Sequence, residues 1–116
     1  MKSRCTLKKN SDFRRLYAKG KSAVNPFMVL YCRRNRVGVT RTGYTVSVKL
    51  GHAVVRNRIR RRLRETVRLN ADRLQPGWDI ILVARSRALD APFRKLQTAY
   101  LGSCEKLGLL RQEDRL

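Results

Sequence analysis

The chain has 116 residues, about one domain's worth, and a chain of that size can bury a core without disulfide staples. It carries 28 Lys and Arg against 8 Asp and Glu, a formal net charge of +20. Self-repulsion of that size disfavours a compact state unless a polyanion offsets it, so nucleic acid is the expected partner and an anionic membrane surface the second choice.

"NSDFRRLYAKG", from Asn10, predicts a short helix capped by Asn10 or Ser11 and ended at Gly20. Phe13, Leu16 and Tyr17 then share one face. "FMVLYC", residues 27–32, predicts a strand with Phe27, Val29 and Tyr31 on one side and Met28, Leu30 and Cys32 on the other. After a basic turn region, "YTVSV", 44–48, predicts a second strand. A helix follows from residue 53 to about Asn70. "WDIILVAR", 78–85, reads as a buried strand. Asp90 is the expected cap of a last helix with Pro92 in its first turn, and Phe93, Leu96, Tyr100 and Leu107 on one face. The order is α-β-β-α-β-α, which fits a small α/β sandwich with a central sheet. No repeat or long linker divides the chain, so residues 1–116 read as a single domain. Its ends, 1–9 and 109–116, are expected to fray.

The second of these helices, the most highly charged, contains "AVVRNRIRRRLRE", residues 53–65. Val55, Ile59, Leu63 and Val67 recur every four residues and form a stripe that must face a core. Arg56, Arg60 and Arg64 form a row beside it, and Asn57, Arg61 and Arg68 form the next. Arg58 and Arg62 lie on the other flank, where their stems can snorkel. Glu65 is the only acid and can pair with Arg61 or Arg62. The guanidinium fork binds phosphate bidentately and keeps its charge. A solvated face without a partner usually mixes both signs, and membrane binding needs a wide apolar face, whereas this stripe is narrow.

Phe13, Tyr17 and Tyr31 stand among Lys8, Lys9, Arg14, Arg15 and Lys19. Rings among basic residues hold single-stranded nucleic acid by stacking, although composition alone favours core packing for them. His52, the sole histidine, lacks ligand-spaced partners and fits a loop or cap. The scattered acids form no pair suited to a two-metal nuclease. Cys5, Cys32 and Cys104 match neither a disulfide framework nor a zinc site and fit a reducing compartment. No signal peptide or membrane span is expected, and the protein reads as cytoplasmic.

These motifs resemble those of one family. "GHAVVRNRIRRRLRE" is similar to the signature of the bacterial ribonuclease P protein component, with its Arg-Asn-Arg core and flanking apolar positions. "LKKNSDFRRLY" resembles that family's N-terminal segment. "FMVLY", "YTVSVKLG" and "DIILVAR" resemble its strands in order and spacing, so the resemblance covers roughly residues 6–105. The sequence departs at Val48, where members often carry a second lysine, and at His52, where asparagine is usual.

The resemblance implies a left-handed βαβ crossover and a ribonucleoprotein whose large RNA carries the active site. The protein would bind the 5′ leader of precursor tRNA, with Mg²⁺ held mainly by the RNA and no protein partner required. By matched position, Arg56, Asn57, Arg58, Arg60, Arg61, Arg64 and Arg68 would contact the catalytic RNA. Phe13, Tyr17, Tyr31, Lys49 and Arg85 would form the leader-binding cleft, which for Phe13 and Tyr17 raises stacking above core packing. The rival expectations are a structural RNA-binding protein, such as a ribosomal protein, and an intrinsic nuclease.

Overall fold

The computed structural model describes residues 6–112; residues 1–5, Cys5 among them, and 113–116, the outer parts of the ends expected to fray, lie outside it. Three helices, α1 (Asn10–Lys19), α2 (Ala53–Leu69) and α3 (Phe93–Lys106), surround four strands, β1 (Lys21–Val24), β2 (Met28–Arg34), β3 (Arg41–Thr45) and β4 (Trp78–Ala84). The sheet order is β1-β2-β4-β3. β1 and β2 are antiparallel, as are β2 and β4, while β3 and β4 are parallel and joined through α2.

Alternation assigns each strand residue to a face. Met28, Leu30 and Cys32 of β2 and Ile80, Leu82 and Ala84 of β4 face α2 and α3. There they meet Ile59, Leu63, Leu96, Tyr100 and Cys104 in the main core. On the opposite face, Ile81 packs with Leu7 and Leu16 in a smaller cluster flanked by Phe13, Tyr31 and Val83. The helix α1 therefore covers one face of the sheet, and α2 and α3 cover the other.

Several expectations are corrected. A fourth strand, β1, precedes "FMVLYC"; its four residues are mostly exposed and carry no alternating pattern. Phe27 precedes β2 and packs against the main core rather than beside Val29 and Tyr31. The strand expected at 44–48 ends at Thr45, and Val48–Leu50 form a 3-10 turn that leaves Val48 72% exposed. Lys9, not Asn10 or Ser11, stands before α1, and Pro92 rather than Asp90 stands before α3; neither supplies a capping side chain.

The ends are also tied down where they are described. The Leu7 N–H donates to the Thr42 carbonyl at 3.0 Å, and Leu7 is buried. At the other end Gly108 adopts a left-handed φ of 73°, which turns the chain back over the core. Leu109 and Leu110 are consequently buried, and the Arg111 N–H donates to the Arg73 carbonyl at 2.8 Å. Apolar side chains that can reach a core outweigh the tendency of termini to fray.

Candidate nucleic-acid interface

Helix α2 is anchored by its apolar stripe. Ile59 and Leu63 are fully buried, and Val55 and Val67 are partly buried against the main core. The stripe fixes the rotation of the helix and so decides which arginines face outward. Asn57, Arg58, Arg61, Arg64 and Arg68 are exposed, and Arg56 and Arg60 are half-buried beside the stripe. Gly51, at φ 143°, makes the turn into α2, and its carbonyl accepts from Arg56 Nε at 3.1 Å.

The seven expected RNA contacts differ in how free they are. Arg58 and Arg61 have no hydrogen bond or ion pair among the described residues. Arg60 Nη1 donates to Asn57 Oδ1 at 3.0 Å, which presents the two side chains as a unit. The Arg64 guanidinium lies 5.6 Å from the Tyr44 ring centroid. Arg68 is engaged bidentately by Glu65, at 3.0 and 2.6 Å. Glu65 therefore pairs with Arg68, not Arg61 or Arg62; Arg62, at the same three-residue spacing, turns its guanidinium to backbone carbonyls instead. This pair is exposed; the Arg68 guanidinium holds the Glu65 carboxyl below its usual range.

Arg62 is a different kind of residue. Its guanidinium does not snorkel to water but donates to the carbonyls of Ala88, at 2.9 Å, and of Leu89 and Ala91. It fastens the loop between β4 and α3 to the side of α2. The sequence offers no local sign of this, since the acceptors are backbone atoms 26–29 residues away.

The second surface lies across the sheet. Pairing places residues in rows under and beside α1: Ser22, Tyr31, Ile81 and Gly43 in one, Val24, Val29, Val83 and Thr45 in the next. Helix α1 covers the first row, with Leu16 on Ile81. Phe13 presses on Gly43 so closely that a Cβ there would stand 2.5 Å from Phe13 Cζ. The second row is only partly covered. Tyr17 stands between them, 5.0 Å from Tyr31 and 6.4 Å from Phe13 by ring centroids, in edge-to-face arrangements. Tyr17 is 41% exposed. The result is a cleft with an aromatic wall and a floor of β-branched residues.

The structure thus brings Phe13, Tyr17 and Tyr31 together, but not equally. Tyr17 offers its ring to solvent, whereas Phe13 is half-buried and also packs the smaller core. Lys49 and Arg85 follow the C-terminal ends of the parallel strands β3 and β4, so they stand at the end of the sheet where α2 begins. Both are exposed. Arg85 Nη1 donates to the Asn25 carbonyl at 3.1 Å, which holds it beyond the open row. His52 occupies the position before α2 but its side chain makes no capping bond. Trp78 packs against the main core with Arg34 5.4 Å over its ring. Among the described residues no three His, Cys, Asp or Glu side chains come together, so they offer no cage for a divalent cation.

An outward-facing arginine helix on one side of a mixed sheet, and an aromatic cleft among basic residues on the other, define an α/β nucleic-acid-binding protein. The ribonuclease P family model matches residues 1–108, and the chain belongs to that family. It is similar to the ribonuclease P protein component of Alkaliphilus oremlandii, 40% identical over 110 residues, covering 95% of this chain and 96% of that one. The component from Clostridioides difficile is 45% identical over 91 residues, 78% of this chain and 80% of the other. The RNase P protein of Staphylococcus aureus has a similar structure, with TM-score 0.82 and 34% identity over 92% of this chain and 98% of that chain. The RNase P protein from Thermotoga maritima gives TM-score 0.76 and 29% identity over 84% and 92%. The chain is accordingly the protein part of an RNA-based endoribonuclease of tRNA processing, with an RNA partner in the ribonucleoprotein. A ribosomal-type role is not favoured. No described helix is long and apolar enough to cross a membrane.

Proposed function

We propose that the two surfaces divide the work between two RNAs in the cytoplasm. The arginine face of α2 seats the chain on the catalytic RNA. The cleft of Tyr17, Phe13 and Tyr31, with Lys49 and Arg85 at its end, holds the single-stranded 5′ leader of precursor tRNA. The observation that carries this reading is the exposed Tyr17 ring beside Tyr31, on the sheet face opposite α2. Base stacking on such a ring is sequence-tolerant, as a leader of variable sequence requires.

The chemistry is hydrolysis of one phosphodiester, leaving a 5′ phosphate on the mature tRNA. Mg²⁺, held mainly by the RNA, would supply the metal chemistry. The chain contributes positioning and charge neutralisation. Holding the leader fixes the scissile bond relative to the RNA and removes orientational freedom before reaction. The arginines offset phosphate repulsion at the junction of two polyanions.

The test combines the chain with a bacterial ribonuclease P RNA at low Mg²⁺ and follows precursor tRNAs with leaders of graded length. Cleavage should be stimulated, and affinity should rise with leader length until the cleft is filled. Neutralising six to ten phosphates predicts a loss of ~10³–10⁵ in affinity between about 50 and 200 mM salt. Cleavage by the pure chain without RNA would instead support an intrinsic nuclease. Stimulation that ignores leader length would remove the leader from the cleft.

A further inference from the structure

A third basic feature lies on the α1 face of the sheet, in neither of the surfaces above. The row beyond Tyr31, Ile81 and Gly43 is Arg33, Asp79 and Arg41. With Arg15, Arg34 and Arg36 these residues line a concavity of about 390 Å³. Helix α1 separates it from the cleft, since the covered row lies between the open row and this one.

Its single carboxylate is already engaged. Asp79 accepts from Arg41 Nε and Nη2, both at 2.8 Å, and from Asn35 Nδ2 at 2.8 Å. That arrangement neutralises Arg41 alone. Among the described residues Arg15 reaches only the Asp12 carboxylate, at a long 3.4 Å. Arg34 alternates to the other face of the sheet, where it lies 5.4 Å over the Trp78 ring, so its guanidinium is not counted among the donors here. Arg33 and Arg36 have no hydrogen bond or ion pair among the described residues.

The ordinary explanation for such a cluster is a set of solvated side chains spread apart. Two features argue against it. Strand register fixes Arg33 beside Asp79, and Asn35 pins the following turn. Asn35 Nδ2 donates to the Val39 carbonyl at 3.0 Å, and its Oδ1 accepts from the Val37 N–H at 2.9 Å. The loop bearing Arg36 is thus shaped without a ligand. Gathering guanidinium groups around one neutralised carboxylate is unfavourable until an anion joins them, and forked donors suit a phosphodiester.

We propose that this concavity is a separate phosphate site, built on Arg33 and Arg36, that takes a backbone phosphate of RNA. The inference rests on the ribonucleoprotein reading above. The phosphate belongs either to a leader that extends past α1 or to the catalytic RNA, and the experiment separates these sources.

The full chain is assembled with a bacterial ribonuclease P RNA, in wild type, in Arg33→Gln/Arg36→Gln, and in an equally discharged control, Arg87→Gln/Arg94→Gln. Holoenzyme assembly and binding of precursors with short and long leaders are titrated across salt. The pocket variant should bind about 10-fold more weakly than the control, with a log–log salt slope shallower by ~1–2. A loss confined to long leaders assigns the phosphate to the leader; a loss in assembly, whatever the leader, assigns it to the catalytic RNA. Arg36→Gln alone, in an exposed loop, should show about half the slope change, and it guards against misfolding of the double variant. Pocket and control variants that behave alike in both titrations overturn the proposal. A wild-type chain that fails to stimulate cleavage overturns the functional reading instead.

Discussion

The Tyr17 hydroxyl lies 2.7 Å from Thr45 Oγ1, joining α1 to the edge strand β3 across 28 residues of sequence. This bond turns the Tyr17 ring into a fixed shelf over the open row of the sheet. Tyr17→Phe should lose the bond and keep the shelf, costing ~0.5–1 kcal/mol of stability and little leader affinity. Tyr17→Ala should remove a stacking platform worth ~1–3 kcal/mol, about 5- to 150-fold in affinity for leader-bearing precursor, with mature tRNA unaffected. Comparing the two tRNAs by fluorescence titration checks this. Equal weakening of both would assign Tyr17 to packing. Phe13→Ala is a poorer probe, because Phe13 also fills the smaller core against Gly43.

Arg61 and Arg62 are chain neighbours with opposite duties. Arg61 is exposed and unengaged among the described residues, while Arg62 holds three carbonyls of the β4–α3 loop. Arg62→Gln should destabilise the fold by ~2 kcal/mol or more, since charge-assisted bonds are lost and acceptors are stranded. Arg61→Gln should shift stability by no more than ~0.5 kcal/mol, yet weaken assembly with the catalytic RNA and reduce its salt slope by ~0.7–0.9. Urea denaturation and salt-dependent binding of both variants make the comparison. If Arg61→Gln unfolded the chain, or left the salt slope intact, the division would fail.

The contrast also explains what the sequence makes legible. Helix α2 is readable because two signals coincide, an apolar residue every fourth position and arginines between them. β4 is readable as one apolar run. β3 is misplaced by three residues because its N-terminal half is polar for reasons that lie elsewhere in the chain. Arg41 faces Asp79, 38 residues away, and Gly43 is bare to admit Phe13. β1 is four mostly exposed residues that exist only by pairing with β2. In the site, the outward arginines follow from the stripe, but the inward duty of Arg62 depends on backbone acceptors that no side-chain pattern marks. The resemblance identifies the aromatic trio; only the fold separates the exposed ring of Tyr17 from the half-buried ring of Phe13.

Gly51 sets where α2 begins. Its φ of 143° and ψ of −174° lie in a region open essentially to glycine alone. A Cβ there would also stand 3.0 Å from Val55 Cβ and Cγ1. Gly51→Ala should therefore cost ~1–3 kcal/mol and displace the carbonyl that receives Arg56. Both stability and RNA assembly should fall together, which a melting curve and a binding titration on one preparation would record. Wild-type stability would show that the turn relaxes freely.

The main core predicts weakness toward alkali. Burial pushes the Cys104 thiol from 9.0 up to about 12. Burial also pushes the Tyr44 phenol from 10.0 up to about 12, opposed only in part by Arg64. In both cases the folded state keeps its proton after the unfolded state has released one. The unfolded state then binds fewer protons, so stability falls as pH rises. The contribution is intact below about pH 9, declines as Cys104 and then Tyr44 would ionise on unfolding, and is exhausted near pH 12. Urea midpoints should accordingly hold steady from pH 7 to 8 and drop progressively above 9. Tyr44→Phe should lessen the decline above pH 10, because its ring still packs but has no proton to release, while Tyr100, whose phenol burial also pushes up, sustains the rest. A Tyr44→Phe profile parallel to wild type through that range would place the alkaline sensitivity elsewhere.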